Sequence, residues 1–313
     1  MQEIIEKVLS EVKKVVIGKS DVIGKVFMAL LASGHVLLED VPGVGKTTLA
    51  LAFARALDLD TKRVQFTSDT VPSDVVGISV LSKTTGAFEY KPGAIMTNIL
   101  LADEINRTSS KTQSALLEAM EENNVTVDGE THALPSPFVV LATQNPFGSA
   151  GTLLLPNSQL DRFMIRVSMG YPNFASQVSI LRDRADNNPL DSVQRVINRE
   201  ALLEVIAAVS AVHIEERIYE YVTALTEATR EHPMVSMGIS PRGALALCRM
   251  ARAKACLMGR NYVVPEDVAE IAPDVFGHRL ILNSKARFNE LSAHNVVGEV
   301  VERVKMPVLK EFR

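Results

Sequence analysis

Apolar residues recur along this chain with two different periods, and the change between them divides it. Ile5, Val8, Leu9 and Val12 fall at i, i+3, i+4 and i+7, one face of a helix. Val16-Ile17-Gly18 interrupts that stripe. Ser20-Asp21 is placed to cap a second helix running to Ala32, with Gly34 as its stop. Short strand-like runs then begin: Val36-Leu37-Leu38, Arg63-Val-Gln-Phe66, Ile99-Leu100-Leu101-Ala102, Phe138-Val-Val-Leu-Ala-Thr143 and Met164-Ile-Arg-Val167. Each is bounded by polar or turn-forming residues, as strands buried on both faces are. Helical runs alternate with them, from Leu49 to Leu57 and from the caps Ser109-Ser110 through Leu116, Leu117 and Met120 to Asn123-Asn124. That alternation predicts a parallel sheet with helices on both faces.

Two insertions interrupt the alternation. Asp128-Gly129, between Val125-Thr-Val127 and Glu130 to Leu134, predicts a hairpin with a tight primed turn. Residues 77–93 are dense in glycine and proline and predict an inserted hairpin or a short helical insertion. Gly148 to Gly151 reads as a flexible loop, and a short helix is expected to end at Leu160-Asp161-Arg162-Phe163. Beyond Tyr171-Pro172 the strand-like runs stop and the helical period takes over. Ser240-Pro241 caps and starts a helix with Leu247, Met250, Ala251 and Met258 on one face and Gly259 as its stop. Pro265-Glu266-Asp267 opens another behind Val264, a poor capping residue. The expected fold class is α/β: a core over residues 1–180 and an all-helical domain over residues 189–313.

Composition narrows the function classes. At 313 residues the chain is long for a single core. Its 47% hydrophobic and 22% charged residues argue against disorder. A formal net charge of −4 disfavours a sequence-blind nucleic-acid binder, and the absence of tryptophan disfavours base-stacking surfaces. Cys248 and Cys256 lie eight residues apart in one predicted helix, neither a zinc spacing nor a disulfide signature. The N-terminal run mixes acids into its apolar positions, unlike a signal peptide. No apolar run approaches the ~18 residues of a membrane span. The expectation is a soluble, cytoplasmic protein.

The candidate chemistry begins where the first strand ends. Val41-Pro42-Gly43-Val44-Gly45-Lys46-Thr47-Thr48 joins that strand to a helix through a glycine loop. Such a loop aims backbone N–H groups and the positive end of a helix dipole at one place, which suits a phosphate. Lys46 is expected to reach the β- and γ-phosphates and Thr47 to ligate Mg²⁺. The strict pattern has glycine five residues before Gly45, where this chain has Asp40. Asp103 and Glu104 follow the third strand directly; Asp103 is the expected Mg²⁺ partner and Glu104 the expected base for an attacking water. Asn145, after the fourth strand, could bridge that water and the γ-phosphate, or simply form a turn before Pro146. Arg162 and Arg242 are candidate cations for the charge that develops in phosphoryl transfer; alternatively Arg162 pairs locally with Asp161, and Arg242 is solvated in a first helical turn. His35, His213, His232 and His278 are not grouped as metal ligands.

Taken together, residues 39–47, 101–108, 111–122, 142–146, 159–163, 240–242 and 264–268 resemble the MoxR family of AAA+ ATPases, in the family's order and over nearly the whole chain. The resemblance implies an AAA+ αβα P-loop NTPase core followed by a helical lid, ATP and Mg²⁺ as cofactors, and a homo-hexameric ring. It implies Walker A at Lys46 and Thr47, Walker B at Asp103 and Glu104, sensor 1 at Asn145, sensor 2 at Arg242 and an arginine finger at Arg162 acting on the neighbour's ATP. The nucleotide-binding set so implied is Ile17, Gly18, Val41, Pro42, Gly43, Val44, Gly45, Lys46, Thr47, Thr48 and Asp103. It also implies a partner with a von Willebrand factor A domain and a chaperone-like role on a protein client. Gly148, Ala150, Asn157 and Leu153-Leu154 depart from the family's usual residues, so the ring is expected to be weak or nucleotide-dependent. The rival readings are a magnesium-chelatase-like ATPase subunit, an AAA+ motor on nucleic acid, and an ATP-gated scaffold without turnover.

Overall fold

The computed structural model describes residues 1–41, 43–145, 155–183 and 188–308. Pro42, Gly148 to Gly151 and Leu153-Leu154 lie outside the described residues. Five parallel strands form the central sheet: β1 (Val36–Glu39), β2 (Thr61–Gln65), β3 (Ile99–Asp103), β4 (Val139–Gln144) and β5 (Ile165–Val167). Their order across the sheet is β2-β3-β4-β1-β5. Side chains alternate across each strand, so the sheet feeds two cores. Val36, Leu38, Ile99, Leu101, Val139, Leu141 and Ile165 enter one, and Leu37, Leu100, Ala102, Val140 and Ala142 enter the other. Helices α1 (Gln2–Val15), α2 (Ser20–Leu31) and α3 (Lys46–Ala56) close the first core, and α4 (Ser110–Glu122) closes the second.

Both insertions are antiparallel hairpins. Gly77–Leu81 pairs with Phe88–Pro92 behind a short helix, Pro72–Val76. Asn124–Val127 pairs with Glu130–Ala133 across Asp128 and Gly129, both at positive φ (50° and 85°) as a type I′ turn requires. The Tyr90 and His132 rings stack at 3.8 Å and join the two hairpins.

After α5 (Phe174–Asp183) come the lid helices α6 (Arg199–Ser210), α7 (Glu216–Arg230), α8 (Pro241–Leu257), α9 (Pro265–Phe276) and α10 (Ala293–Arg303). Ser240 caps α8 through the Gly243 N–H (3.2 Å). Val264 cannot cap α9 itself. Asp267 accepts the Val264 N–H at 3.0 Å and is held by both Arg260 nitrogens at 2.8 and 2.6 Å.

Local expectations fail in three places. Ser20 is the first residue inside α2 rather than its cap, and Asp21 pairs with Lys25 (2.8 Å) instead. Met258 falls just past the end of α8 and is 58% exposed, while Leu247, Met250 and Ala251 are buried. The lid also carries a small antiparallel ribbon, Val235–Met237 with Ile281–Leu282, too short for a periodicity signal. Among the described residues no helix is long and apolar enough to cross a membrane.

The lid helices share the first core with the sheet. Lys25 of α2 pairs with Asp274 of α9 at 2.8 Å. Arg279, almost wholly buried, donates from Nε to Asp161 Oδ1 at 2.7 Å and from its terminal nitrogens to the Phe163 and Met164 carbonyls (2.6 and 3.1 Å). At the other side of the core, His35 Nδ1 accepts the Val140 N–H (3.0 Å), which leaves Nε2–H to donate to the Met120 carbonyl (2.9 Å). The ring thereby ties β4 to the end of α4 in its neutral form, and burial pushes its pKa down to about 4. Burial and the neighbouring Arg279 lower His278 in the same direction.

Both groups are protonated more readily in the unfolded chain, where histidine titrates near ~6.5. Their contribution is therefore complete above that pH and is lost as pH falls toward the folded value. Urea midpoints should decline between pH 6.5 and about 4, with His35 contributing on the order of 3 kcal/mol by the lower end. His35→Gln, which cannot titrate, should flatten that decline; an unchanged pH slope would exclude His35 as its source.

Candidate functional site

Strand β1 ends at Glu39, and the chain turns through Asp40 and Val41 into a loop with two residues at positive φ, Gly43 (86°) and Gly45 (100°). Gly45 is the N-cap of α3, so the first amides of that helix open onto the loop. Lys46 Nζ donates to the Asp40 and Val41 carbonyls at 3.0 and 3.2 Å. Burial lowers its pKa, and Asp103, Asp40 and Glu104 oppose the shift. A cavity of about 350 Å³ opens over the loop. Gly43, Gly45, Lys46, Thr47 and Thr48 form one wall, and Arg63, Gln65, Asp103, Glu104 and Asn145 supply the polar rim opposite. Five of the predicted chemical residues thus converge: Lys46, Thr47, Asp103, Glu104 and Asn145.

The two acids are separated by their partners. Asp103 Oδ1 accepts the Thr143 hydroxyl (2.6 Å), and Oδ2 accepts from Arg63 Nη2 (2.6 Å). Glu104 sits in the left-handed region, φ 56° and ψ 47°. Its N–H donates to Thr143 Oγ1 at 2.9 Å, and its Oε2 accepts from Gln65 Nε2 (3.0 Å) and Arg107 Nη1 (2.7 Å). One hydroxyl, Thr143, therefore fixes both neighbouring acids.

The Thr47 hydroxyl and the Asp103 carboxylate form an all-oxygen donor pair, which fits a hard divalent cation. Among the described residues no group of three or more His, Cys, Asp or Glu side chains could hold a metal. A cation here would complete its shell with water and phosphate oxygens, as Mg²⁺ does with nucleotides.

A second cavity of about 220 Å³ adjoins the first and shares Gly43, Gly45 and Thr48 with it. Val15, Val16, Ile17, Val44, Pro172 and Ile180 give it apolar walls, and Tyr171 and Gln177 stand at its side. An apolar slot opening onto a phosphate cradle suits a nucleoside base. Ile17 and Val44 line it as expected. Gly18 has a different part: at φ 75° it passes so close to Ser176 that a Cβ would lie 2.2 Å from the hydroxyl.

Arg162 and Arg242 lie elsewhere. Both pair with Glu121, Arg162 Nε to Oε2 at 2.9 Å and Arg242 Nη2 to Oε1 at 3.2 Å. With Arg249 and Arg279 they line a third cavity that shares no residue with the phosphate-loop cavity. Arg242, expected beside Lys46, Asp103, Glu104 and Asn145, is thus not among the residues that line their cavity. Ser240, the cap of its helix, donates to Asp161 Oδ2 (3.2 Å), and Arg279 holds the other oxygen of the same carboxylate. The lid packs so that the start of α8 meets the Arg162 turn instead of the glycine loop.

Arg63, Gln65, Arg107, Glu121 and Thr143 take part in these clusters without having been singled out from the sequence. The register that places Gln65 beside Asp103 was the available signal: polar residues alternate at 63 and 65 on the strand next to Asp103.

Comparison with known proteins agrees with this architecture. The family model for the ATPase family associated with various cellular activities (AAA) matches residues 35–165, and an AAA lid domain model matches residues 227–303. The uncharacterised protein YeaC of Bacillus subtilis is 46% identical, over 98% of this chain and 96% of its own. A crystal structure of a candidate ATPase from Cytophaga hutchinsonii superposes with a TM-score of 0.91 at 37% identity, covering 98% of this chain and 96% of the other. Chaperone MoxR1 of Mycobacterium tuberculosis is 39% identical, over 97% of this chain and 82% of that protein. With that identity over nearly its whole length, and the core and lid models matched in order, the chain belongs to the MoxR family of AAA+ ATPases.

Proposed function

We propose that this chain hydrolyses ATP with Mg²⁺ and uses the turnover, as a chaperone-like remodeller, to assemble or activate a protein client. The observation that carries the hydrolytic reading is the convergence of Lys46, Thr47, Asp103, Glu104 and Asn145 on one cavity that opens into an apolar slot. In this reading the slot takes the adenine, and the loop amides and Lys46 take the phosphates. Thr47 and Asp103 hold the cation, which neutralises charge on the β- and γ-phosphates. Asn145 positions the attacking water, and Glu104 accepts its proton. Glu104 must first leave Gln65 and Arg107, which hold its carboxylate here.

The remodelling role rests on family membership and on the chaperone name of the Mycobacterium relative. So do a six-membered ring, a partner with a von Willebrand factor A domain, a cytoplasmic location, and the division into a core (1–180) and a lid (189–313). The position of Arg162 and Arg242 favours assembly. Two arginines whose ion pair is a half-exposed carboxylate, away from their own phosphate cavity, are placed to act on the nucleotide of an adjoining copy.

Glu104→Gln should keep ATP binding and lower turnover by about a hundredfold or more; an unchanged rate would remove Glu104 from the base role. Mixing tests the arginines. Neither Glu104→Gln nor Arg162→Ala protein should turn over alone, whereas a mixture should recover activity, because some sites then pair an intact Glu104 with an intact Arg162 from the next copy. No recovery in co-assembled mixtures would place Arg162 in its own site.

Arg63 gives a third test. Its guanidinium occupies the Asp103 oxygen that a cation would approach. Arg63→Met should lower severalfold the Mg²⁺ concentration needed for half-maximal binding of a fluorescent ADP analogue. Weaker nucleotide binding with an unaltered Mg²⁺ dependence would instead make Arg63 a phosphate ligand.

A further inference from the structure

Asp40 occupies the position where the strict phosphate-loop pattern has glycine, and its carboxylate is buried, 5% exposed. Burying a carboxylate is costly unless donors meet it. Three consecutive residues supply them. The Met169 N–H donates to Oδ2, the Gly170 N–H to both oxygens (3.2 Å each), and the Ser168 hydroxyl to Oδ1 (3.2 Å).

Residues 168–170 are the strap that leaves β5 and runs directly into Tyr171-Pro172, which wall the apolar slot. Lys19, also at that slot, clamps the strap from the far side by donating to the Tyr171 carbonyl at 2.8 Å. The main chain of Asp40 faces the other way. Its N–H donates to the Gln144 carbonyl (3.1 Å), next to Asn145, and its own carbonyl receives Lys46 Nζ. A single residue thus holds the strap that leads to the slot through its carboxylate, and meets Lys46 and Gln144 at the other cavity through its backbone.

We infer that Asp40 is a positioning residue that sets the base slot against the phosphate cradle, so that the nucleoside contributes to binding only while the Asp40 carboxylate holds residues 168–170. This rests on the nucleotide-binding reading above. Glycine at this position would leave the strap donors without an acceptor; asparagine would keep one acceptor oxygen and set an amide N–H against the donors that meet the other. In either case the contacts that place Lys46 and β4 against residue 40 remain, because they come from its main chain.

The test compares ATP with inorganic tripolyphosphate, which has the phosphates but no base. Both are measured by competition against a fluorescent ADP analogue on the full chain, with Mg²⁺ present. For Asp40→Asn, ATP affinity should fall by roughly tenfold while tripolyphosphate affinity stays within about twofold, and discrimination between ATP and GTP should narrow. Ser168→Ala, which removes one donor and leaves the carboxylate, should shift ATP the same way by about threefold; it carries the test if Asp40→Asn does not fold. Equal loss of ATP and tripolyphosphate would make Asp40 a general support of the loop and overturn the inference, as would unchanged ATP affinity. Wild-type protein that binds neither ligand would overturn the nucleotide reading itself, and this inference with it.

Discussion

A parallel sheet covered on both faces leaves its strands no place for charge except their ends. The three inner strands, β1, β3 and β4, obey that constraint. Leu37, Leu38, Leu100, Leu101, Val140 and Leu141 are buried, and polar residues begin where the cover stops. Glu39 and Asp40 follow β1, Gln65 ends β2, Asp103 and Glu104 end β3, and Gln144 and Asn145 end β4. Because the strands are parallel and in register, those ends line up: Glu39 stands beside Gln144, and Gln65 beside Asp103. The lateral contacts follow, with Gln144 Nε2 on Glu39 Oε1 (2.7 Å) and Gln65 on Glu104. The phosphate cavity is the opening left above this polar row by the glycine loop.

The same molecule joins its two parts with contacts of two strengths. Arg279 and Asp161 form a pair whose guanidinium is sealed from water and satisfied by backbone carbonyls as well. Removing one partner of such a pair typically costs about 3–5 kcal/mol, so the Arg162 turn and the lid move as a unit. Glu121 lies between Arg162 and Arg242 with side chains 29 to 42% exposed. Pairs of that kind contribute about 1 kcal/mol or less. The turn is thus rigidly placed while its cations are loosely paired.

The sheet was legible because its inner strands are short apolar runs between polar stops, and the hairpin at Asp128-Gly129 because a primed turn needs its residues. The phosphate loop and the acids at 103 and 104 were legible for the same reason: local chain chemistry placed them at strand ends. Arg63 and Gln65 were not, because β2 is an edge strand with an exposed pattern and its polar residues look like surface. The cavity that Arg242 lines was not legible for a different reason. The sequence context of Arg242 fixes only that it opens a helix, whereas which cavity it enters depends on how α8 packs on α2 and on the buried Arg279. Ser20 and Met258 failed by one position each, since a cap is set by the exact turn and not by composition.

Glu104 shows how the strand-end constraint and the chemistry meet. A lone non-glycine residue in the left-handed region costs roughly 1–2 kcal/mol. Here three hydrogen bonds hold it there, from its N–H to Thr143 and to its carboxylate from Gln65 and Arg107. An extended Glu104 would continue β3 and put its side chain back toward the buried faces. The turn at φ 56° instead ends the strand at once and gives the two adjacent acids separate partners, Arg63 and Thr143 for Asp103, Gln65 and Arg107 for Glu104. Two carboxylates one residue apart thereby keep different surroundings, which is the condition for one to hold a cation while the other takes a proton. The strain is local, and its effect is to give adjacent residues different partners.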